Sequence, residues 1–255
     1  MDLQLRGKRA LVTGSTRGIG LAIAERLALE GADVAIGARD GDAVDNVVKM
    51  LGSHGVKAWG RSVDVRDATS LRSWVESAAM ALGGIDILVP VASALSFGPG
   101  VEALRSAFDV DLAHTVTAVE AAMPYMERSQ SGSIVAIGSI GGVEVSELNA
   151  HSMVSYGTMK AALHFYIKSL ARDVAPKGIR ANVVSPGSTF VEGGPWARVR
   201  DEQPDRYRNA VSMIPMGRMA RPEEIANVVV FAASPAAGYV SGANLVVDGC
   251  FTRRV

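Results

Sequence analysis

Short, mostly apolar segments alternate along the chain with longer segments that are amphipathic or rich in alanine. Several of the short segments lack the period of two that marks a strand with one exposed face, so they are typical of strands covered on both faces. The predicted strands are 9–13, 33–38, 56–63, 85–91, 133–138, 179–184 and 244–247. The predicted helices are 18–30, 41–52, 67–82, 100–128, 152–175 and 222–233.

This alternation predicts right-handed βαβ crossovers, and therefore an α/β fold. We expect a single doubly wound Rossmann-type domain over residues 1–255, with a seven-stranded parallel sheet and helices on both faces. No linker or repeat marks a second domain. The segment 188–221 departs from the pattern, because its glycines and prolines are too frequent for one long helix. We predict a substrate loop or lid there.

The composition of the chain bears on its partners and on metal binding. Lys and Arg together number 26, as do Asp and Glu, so the charge gives no support to nucleic-acid or membrane partners. Cys250 is the only cysteine, which excludes an intramolecular disulfide and a cysteine-rich zinc site, and no metal is predicted. The chain has neither a signal-peptide pattern at its start nor an apolar stretch of membrane-spanning length. We therefore expect a cytoplasmic protein.

A glycine-rich turn, Thr13-Gly-Ser-Thr-Arg-Gly-Ile-Gly20, joins the first predicted strand to the first predicted helix. Gly14 permits a tight turn, while Gly18 and Gly20 allow backbone N–H groups to approach a pyrophosphate at the helix N-terminus. The alternative is an ordinary strand-to-helix turn. The predicted cofactor-binding residues of this turn are Gly14, Ser15, Thr16, Arg17, Gly18, Ile19 and Gly20.

The tip of the second strand bears on the choice of cofactor. An acidic residue there would accept hydrogen bonds from the ribose 2′-hydroxyl and select NAD, but Ala38 occupies that position and Arg39 follows it. Guanidinium groups of Arg39 and Arg17 suit the 2′-phosphate of NADP(H). Asp40 keeps NAD(H) open as the alternative, as does the possibility that both arginines are merely solvated.

Tyr156 and Lys160 are four residues apart, on one face of a predicted helix. A free phenol, with a pKa of about 10, is a poor acid or base near neutrality, and a nearby cation stabilises its ionised form. Tyr156 is thus a candidate proton donor to a carbonyl that receives hydride. Ser139, at the end of the fifth strand, is placed to orient that carbonyl. The alternative for the Tyr–Lys pair is a surface contact.

In this order the motifs resemble the short-chain dehydrogenase/reductase family, in its single-domain form. The resemblance extends nearly end to end and implies reversible hydride transfer between a nicotinamide cofactor and a carbonyl or alcohol. It implies that Tyr156 is the acid/base, that Lys160 binds the nicotinamide ribose and that Ser139 stabilises the oxyanion. It also implies a homotetramer or homodimer. The further cofactor contacts that it implies are Asp64, Val65, Ala92, Tyr156, Lys160, Pro186, Gly187 and Thr189.

Two departures from the family pattern stand near the predicted site. Pro90-Val91-Ala92-Ser93 replaces the usual Asn-Asn-Ala-Gly, and Pro90 offers neither an N–H nor an amide side chain. Asp111 replaces an asparagine that supports a water relay to the lysine. An ionised carboxylate accepts but cannot donate, and its charge opposes the effect of Lys160 on the phenol. Asp111 is therefore a candidate catalytic residue, and we expect an active enzyme with a more alkaline profile.

The substrate is the least determined part of the prediction. The candidate pocket residues are Ser93, Ile140, His151, Met153, Phe190, Trp196 and Met213. Their aromatic and methionine content favours an apolar or partly apolar substrate. The predicted function is an NADP(H)-dependent ketone or aldehyde reductase, with a 3-oxoacyl-thioester reductase as the alternative. A dinucleotide-binding sensor without turnover is the alternative of another class, and a nucleotide-sugar epimerase or dehydratase ranks third.

Overall fold

The computed structural model describes residues 1–129, 131–145 and 153–254. Its centre is a seven-stranded sheet in which every pair of neighbours is parallel, in the order β3-β2-β1-β4-β5-β6-β7. The predicted α/β architecture is confirmed. The strands are β1 Arg9–Thr13, β2 Asp33–Ala38, β3 Ala58–Ser62, β4 Ile87–Pro90, β5 Ser133–Ile137, β6 Arg180–Pro186 and β7 Asn244–Val247.

Helices cover both faces of the sheet, as the uniform burial of its central strands requires. β4 and β5 are buried along their whole length, whereas β7 at the edge alternates between exposed and half-buried residues. One apolar core includes residues of α1, α2 and α9, and the other includes residues of α3, α5 and α6. The helices are α1 Gly18–Leu29, α2 Gly41–Gly52, α3 Ala68–Leu82, α4 Val101–Ala107, α5 His114–Ser129, α6 Val154–Val174, α7 Pro195–Glu202, α8 Pro204–Ser212 and α9 Pro222–Ala233.

Local signals explain several of the helix ends. The Asp67 carboxylate accepts from the backbone N–H groups of Thr69 and Ser70 at the start of α3, and Gly83 ends that helix in the left-handed conformation (φ +83°). Within the described part of the chain, no helix is long and apolar enough to cross a membrane.

The predicted helix 100–128 is divided in the structure. A π-helical turn, Phe108–Ala113, separates α4 from α5. A π turn contains an extra residue and is frequent at functional sites. Two polar side chains in and beside this turn, Asp111 and His114, are buried, and both reach other elements of the site.

The segment 188–221 forms two short helices, α7 and α8, rather than one long helix. Pro195 and Pro204 begin them, at the first helical position where a missing N–H costs nothing. The segment has its own small apolar cluster, in which Ala210, Ile214 and Met219 are buried. Its two ends are paired with each other by backbone hydrogen bonds, including one of 3.0 Å from Ala220 N to Ser188 O. Its role as a lid stays a prediction.

Candidate active site

The predicted site residues meet at the carboxyl ends of the central strands. The strand order reverses between β1 and β4, and in open α/β sheets ligands bind in the crevice at such a switch point. β4 pairs with β5 only at Ile87 and Leu88, whereas it pairs with β1 as far as Pro90. The segment that follows β4 is therefore held by β1 rather than by β5.

The glycine-rich turn leaves β1 with Gly14 and Gly18 in the left-handed region, at φ +63° and +56°. A Cβ on Gly14 would lie 2.9 Å from Ala92 Cα, so the turn packs directly on the segment after β4. A Cβ on Gly20 would lie 2.2 Å from the Gly14 carbonyl oxygen. Gly20 is thus required for the turn to close on itself, a different reason from the cofactor clearance that the sequence analysis assigned to it.

Of the other residues of this turn, one is buried in the fold and four lie at the outer surface. Ser15 is buried, and its Oγ donates to the Val12 carbonyl (3.0 Å) and accepts from the Gly37 N–H (3.2 Å). Arg17 is the N-cap of α1 and makes no capping hydrogen bond, so the first N–H groups of α1 have no side-chain cap. Thr16, Arg17, Gly18 and Ile19 are half-buried or exposed at the outer surface of the turn.

The end of β1 is joined to the residue after β4 by the Thr13 hydroxyl, which a buried histidine orients. His114 Nδ1 lies 2.9 Å from the Val110 carbonyl and must carry the proton there, which leaves Nε2 to accept from the Thr13 hydroxyl at 2.9 Å. Thr13 Oγ1 in turn accepts from the Val91 N–H (3.1 Å). Burial lowers the pKa of His114 to about 4, so the imidazole is neutral at physiological pH. The sequence offered no signal for this role.

Lys160 lies at the centre of the predicted catalytic group. Its side chain is almost fully buried, and Nζ donates to the carbonyl of Ile137, the last residue of β5, at 2.8 Å. The same Nζ lies 5.5 Å from the centroid of the Tyr156 ring. The structure therefore brings the predicted phenol and ammonium together beside the end of β5.

Asp111 forms a buried ion pair with Lys160. The Lys160 Nζ lies 3.0 Å from Asp111 Oδ1, but its direction is outside the hydrogen-bond range, so Oδ1 has the charge contact without an aligned hydrogen bond. Oδ2 accepts from the Ala94 N–H at 3.3 Å. The carboxylate thus holds both the lysine and the segment after β4, and Oδ1 keeps an acceptor position for a water or a ligand hydroxyl.

Ser139 is brought near Tyr156 by a short 3₁₀ turn, Ile140–Gly142. Ser139 Oγ accepts from the Gly141 N–H at 3.1 Å, and its hydroxyl proton has no acceptor among the described residues. A Cβ on Gly141 would lie 3.5 Å from Ser139 Oγ and 4.0 Å from Tyr156 Cδ1, so the two side chains are within about 7.5 Å of each other. Within the described part of the chain, nothing competes for the Ser139 proton with an oxygen placed between the two side chains.

Two further glycines, Gly142 and Gly157, allow the turn after Ser139 to pack closely against α6. A Cβ on Gly142 would lie 2.7 Å from the backbone nitrogen of Ala161, and one on Gly157 would lie 2.6 Å from the carbonyl oxygen of Gly141. Neither position therefore accommodates a side chain without backbone movement. The one available signal was that Gly157 lies inside the Tyr156–Lys160 motif.

A second neutral histidine supports the site from the β6 side. His164 Nε2 lies 3.0 Å from Ser185 Oγ, which donates to Asn244 Oδ1 at 2.7 Å. Burial, together with the charge of Lys160, lowers the pKa of His164 to about 4. Lys160 is therefore flanked by uncharged imidazoles, and Asp111 carries the opposite charge that it contacts.

The predicted adenosine end of the site carries four charged groups. The Arg66 guanidinium, and to a lesser extent Arg39, lowers the pKa of Asp64 to about 2. Asp40 Oδ1 accepts from the Ala43 N–H at 3.1 Å and so caps α2. Arg39 is exposed beside it. One oxygen of the Asp40 carboxylate is thus already engaged in the fold.

The remaining predicted residues are dispersed. Ile140 and Met153 lie at the 3₁₀ turn that follows Ser139, whereas Phe190 and Trp196 pack on Tyr207, with their ring centroids 6.2 and 6.5 Å from its own. His151 lies outside the described residues. Of the others, Val65, Ala92, Ser93, Gly187 and Thr189 are half-buried, Pro186 is buried and Met213 is exposed.

A family model described as "Enoyl-(Acyl carrier protein) reductase" matches residues 14–252. The chain belongs to the short-chain dehydrogenase/reductase family. Members of this family are oxidoreductases that act on carbonyl or alcohol groups with a nicotinamide cofactor. The predicted family is confirmed.

Curated relatives of this short-chain dehydrogenase/reductase match over almost their whole length. The isoepoxydon dehydrogenase patN of Penicillium expansum is 37% identical, over 96% of this chain and 95% of that protein. The 3-oxoacyl-[acyl-carrier-protein] reductase FabG of Aquifex aeolicus is 35% identical, over 98% and 99% respectively. The structure of L-sorbose reductase from Gluconobacter frateurii, complexed with NADPH and L-sorbose, is 30% identical, covers 100% of both chains and has a TM-score of 0.91.

Proposed function

We propose that this protein is an NADP(H)-dependent ketone or aldehyde reductase in which Tyr156 transfers the proton. The observation that carries the proposal is the convergence of Ser139, Tyr156 and the buried Lys160 at the end of β5, beside the switch point of the sheet. The site fits a dinucleotide, because Gly14 and Gly18 are left-handed and the first turn of α1 has no side-chain cap.

The bound nicotinamide would supply or accept the hydride. In reduction, the Tyr156 hydroxyl donates its proton to the carbonyl oxygen as the alcohol forms, and Ser139 donates a hydrogen bond to the same oxygen. The phenolate that remains is stabilised by the Lys160 ammonium, which Ile137 and Asp111 hold in place. Oxidation of the alcohol follows the same steps in reverse, with the phenolate as base.

A preference for NADP(H) over NAD(H) is part of the proposal. It is supported by Ala38 at the strand tip, by the exposed Arg39 beside it and by the engagement of Asp40 in capping α2. Arg17, exposed in the glycine-rich turn, is the second candidate for the 2′-phosphate. The similarity to L-sorbose reductase complexed with NADPH agrees with this assignment. NAD(H) remains the alternative.

Asp111 is proposed as a positioning residue in place of the family's asparagine. Its buried carboxylate contacts Lys160 and the backbone after β4, so it fixes the ammonium relative to the Tyr156 ring. It also opposes the stabilisation of the phenolate, because its negative charge is held close to the Tyr156 ring through their shared contact with Lys160.

Reduction of 3-oxoacyl thioesters is the second candidate function. The observation that favours it is the similarity to 3-oxoacyl-[acyl-carrier-protein] reductase FabG over nearly the full length of both chains. The two candidates share the catalytic group and differ in what the substrate presents to the segment 188–221. Measuring which substrates are turned over therefore distinguishes the two candidate functions, whereas a test of the mechanism does not.

The test is oxidation of NADPH, followed by absorbance, with a panel of ketones, aldehydes, quinones and 3-oxoacyl thioesters. We expect turnover with at least one class, and its loss in Tyr156→Phe. Turnover confined to the thioesters would favour the second candidate. Tight NADPH binding without turnover of any compound would favour a cofactor sensor, and full activity of Tyr156→Phe would refute the mechanism.

A homotetramer or homodimer in the cytoplasm completes the proposal. The exposed apolar side chain of Phe165, on the outer face of α6, is 78% accessible in the single chain and would be covered by a second copy. Light scattering coupled to size-exclusion chromatography tests the assembly. We expect a mass of two or four chains, and a monomer would refute it.

A further inference from the structure

An aromatic side chain that the sequence analysis did not identify lies against the catalytic tyrosine. Phe97 belongs to the segment between β4 and α4, and its ring centroid is 5.7 Å from that of Tyr156, with the ring planes tilted by 55°. Phe97 is 49% exposed. One part of its surface therefore contacts the phenol ring, while about half of the residue is exposed to solvent beside that ring.

The position of Phe97 is fixed from both sides. The carbonyl of the next residue, Gly98, accepts from the backbone N–H of Ser155 at 3.2 Å and from the Ser155 hydroxyl. Ser155 is fully buried and directly precedes the catalytic tyrosine. On the other side, the Ala94 N–H donates to Asp111. The ring is thus held by the same elements that hold the catalytic side chains.

The backbone of this segment is arranged to expose apolar groups. Leu95 has φ +46°, an unfavourable conformation for a residue with a side chain, and its N–H donates to Ser93 Oγ at 3.1 Å. Its side chain is 43% exposed. Leu95 and Phe97 therefore both present apolar surface on the segment that borders the site, where a ligand would gain by covering it.

We propose that Phe97 is a specificity-determining residue, whose ring forms an apolar wall for the carbon skeleton next to the reacting carbonyl. The proposal names the substrate class as ketones with a rigid apolar ring, in preference to ketones on a flexible chain, and it rests on the proposed reductase function. The Phe97 ring is in direct contact with the ring of Tyr156, whose hydroxyl meets the carbonyl oxygen in the proposed mechanism. The atoms that it touches are consequently those close to the reacting carbon.

Two physical arguments favour a ring over a chain at this wall. A flat aromatic face gains most from packing against another broad apolar surface, which a ring offers in one piece. A flexible chain must also lose torsional freedom to lie along the wall, whereas a ring has little to lose. A fixed apolar wall therefore favours substrates that are rigid as well as those with a large apolar surface.

The experiment compares cyclohexanone with hexan-2-one, two apolar ketones of equal carbon number, as substrates with NADPH. The variants are Phe97→Ala, Phe97→Leu and the matched control Phe108→Ala, since Phe108 is 48% exposed and makes no aromatic pair with Tyr156. We expect Phe97→Ala to lower kcat/KM about tenfold for cyclohexanone and about threefold or less for hexan-2-one. Phe97→Leu should be intermediate, and the control should change neither.

A binding measurement separates failure of this proposal from failure of the proposed function. With NADP⁺ present, cyclohexanone should raise the Tm of the wild type more than that of Phe97→Ala, whether or not turnover occurs. Wild-type preference for hexan-2-one, equal losses for the two ketones, or equal Tm shifts in both proteins would overturn the role of Phe97. Persistence of turnover in Tyr156→Phe would instead refute the mechanism on which it rests.

Discussion

The ion pair between Asp111 and Lys160 makes a quantitative prediction about pH. Asp111→Asn keeps the size of the side chain and removes its charge. The carboxylate oxygen lies 3.0 Å from Lys160 Nζ, which lies 5.5 Å from the centroid of the Tyr156 ring, so the oxygen is within about 8.5 Å of that ring. The substitution therefore removes a negative charge close to the group that must ionise during alcohol oxidation.

The size of the effect follows from Coulomb's law. At about 8.5 Å and an effective dielectric constant of about 20, one charge alters the free energy of forming the phenolate by about 2 kcal/mol, equivalent to about 1.4 pH units. With the dielectric constant of water the effect falls to about 0.4 units. Because the pair is buried, the expected displacement of the pH profile lies nearer the larger of these two values, at about one pH unit.

The direction of the shift is toward lower pH. Alcohol oxidation requires the phenolate, and removal of the carboxylate charge favours it, so the half-maximal kcat/KM of Asp111→Asn should occur about one unit below that of the wild type. The control is Asp109→Asn, because Asp109 is exposed in the same turn. A primary isotope effect with deuterated alcohol shows whether hydride transfer limits the rate. An unchanged profile, or an equal shift in the control, would refute the reasoning.

Three further predictions test other parts of the site. Arg39→Ala should raise the KM for NADPH about tenfold or more and leave that for NADH nearly unchanged, since a guanidinium–phosphate hydrogen bond contributes about 1.5–3 kcal/mol; equal losses would contradict its role. Gly142→Ala should lower the free energy of unfolding by about 2 kcal/mol or more and reduce kcat, because its Cβ would press on a backbone nitrogen. The control is Gly141→Ala, whose Cβ meets the flexible end of a methionine side chain and should cost less. Denaturant unfolding and kcat are measured for both variants. Because the pKa of His114 is about 4 in the folded protein and 6.5 ordinarily, the unfolded chain binds more protons between these values. His114 should therefore contribute about 2 kcal/mol to the fall in stability from pH 7.5 to pH 5, in addition to the contribution of His164. Urea unfolding should show a smaller fall in His114→Gln, and an unchanged fall would contradict the assignment.

The central strands were predictable because their sequences are runs of consecutive apolar residues, as expected for strands buried on both faces. β1, β2 and β7 agree with the prediction at both ends, and the division of the chain into alternating elements followed directly. The strand predicted over 56–63 is shorter in the structure, since its pairing with β2 covers only 58–62. β3 is an edge strand with one neighbour, so its ladder ends where that neighbour ends, which the apolar pattern of a single segment does not specify.

Local spacing and family resemblance were enough to propose the candidate catalytic side chains, but not the residues that hold them in place. Lys160 and Tyr156 share a helix face, whereas His114 acts through Thr13, 101 residues earlier. Gly142 matters because a backbone nitrogen of α6 passes close to it. Phe97 lies in a segment without periodicity and acquires its role from contact with the tyrosine ring. Such contacts depend on the tertiary fold, and no window of sequence contains both partners.

The two departures from the family pattern are connected through one segment. Pro90 and Val91 provide no polar side chain after β4, so the backbone there depends on acceptors from elsewhere. Thr13 accepts from the Val91 N–H, and Asp111 accepts from the Ala94 N–H. A carboxylate suits this second role better than an amide, because both of its oxygens accept: one holds the segment and the other remains for Lys160. Asp111 thus supplies an acceptor that the segment itself lacks, and it places a negative charge beside Lys160.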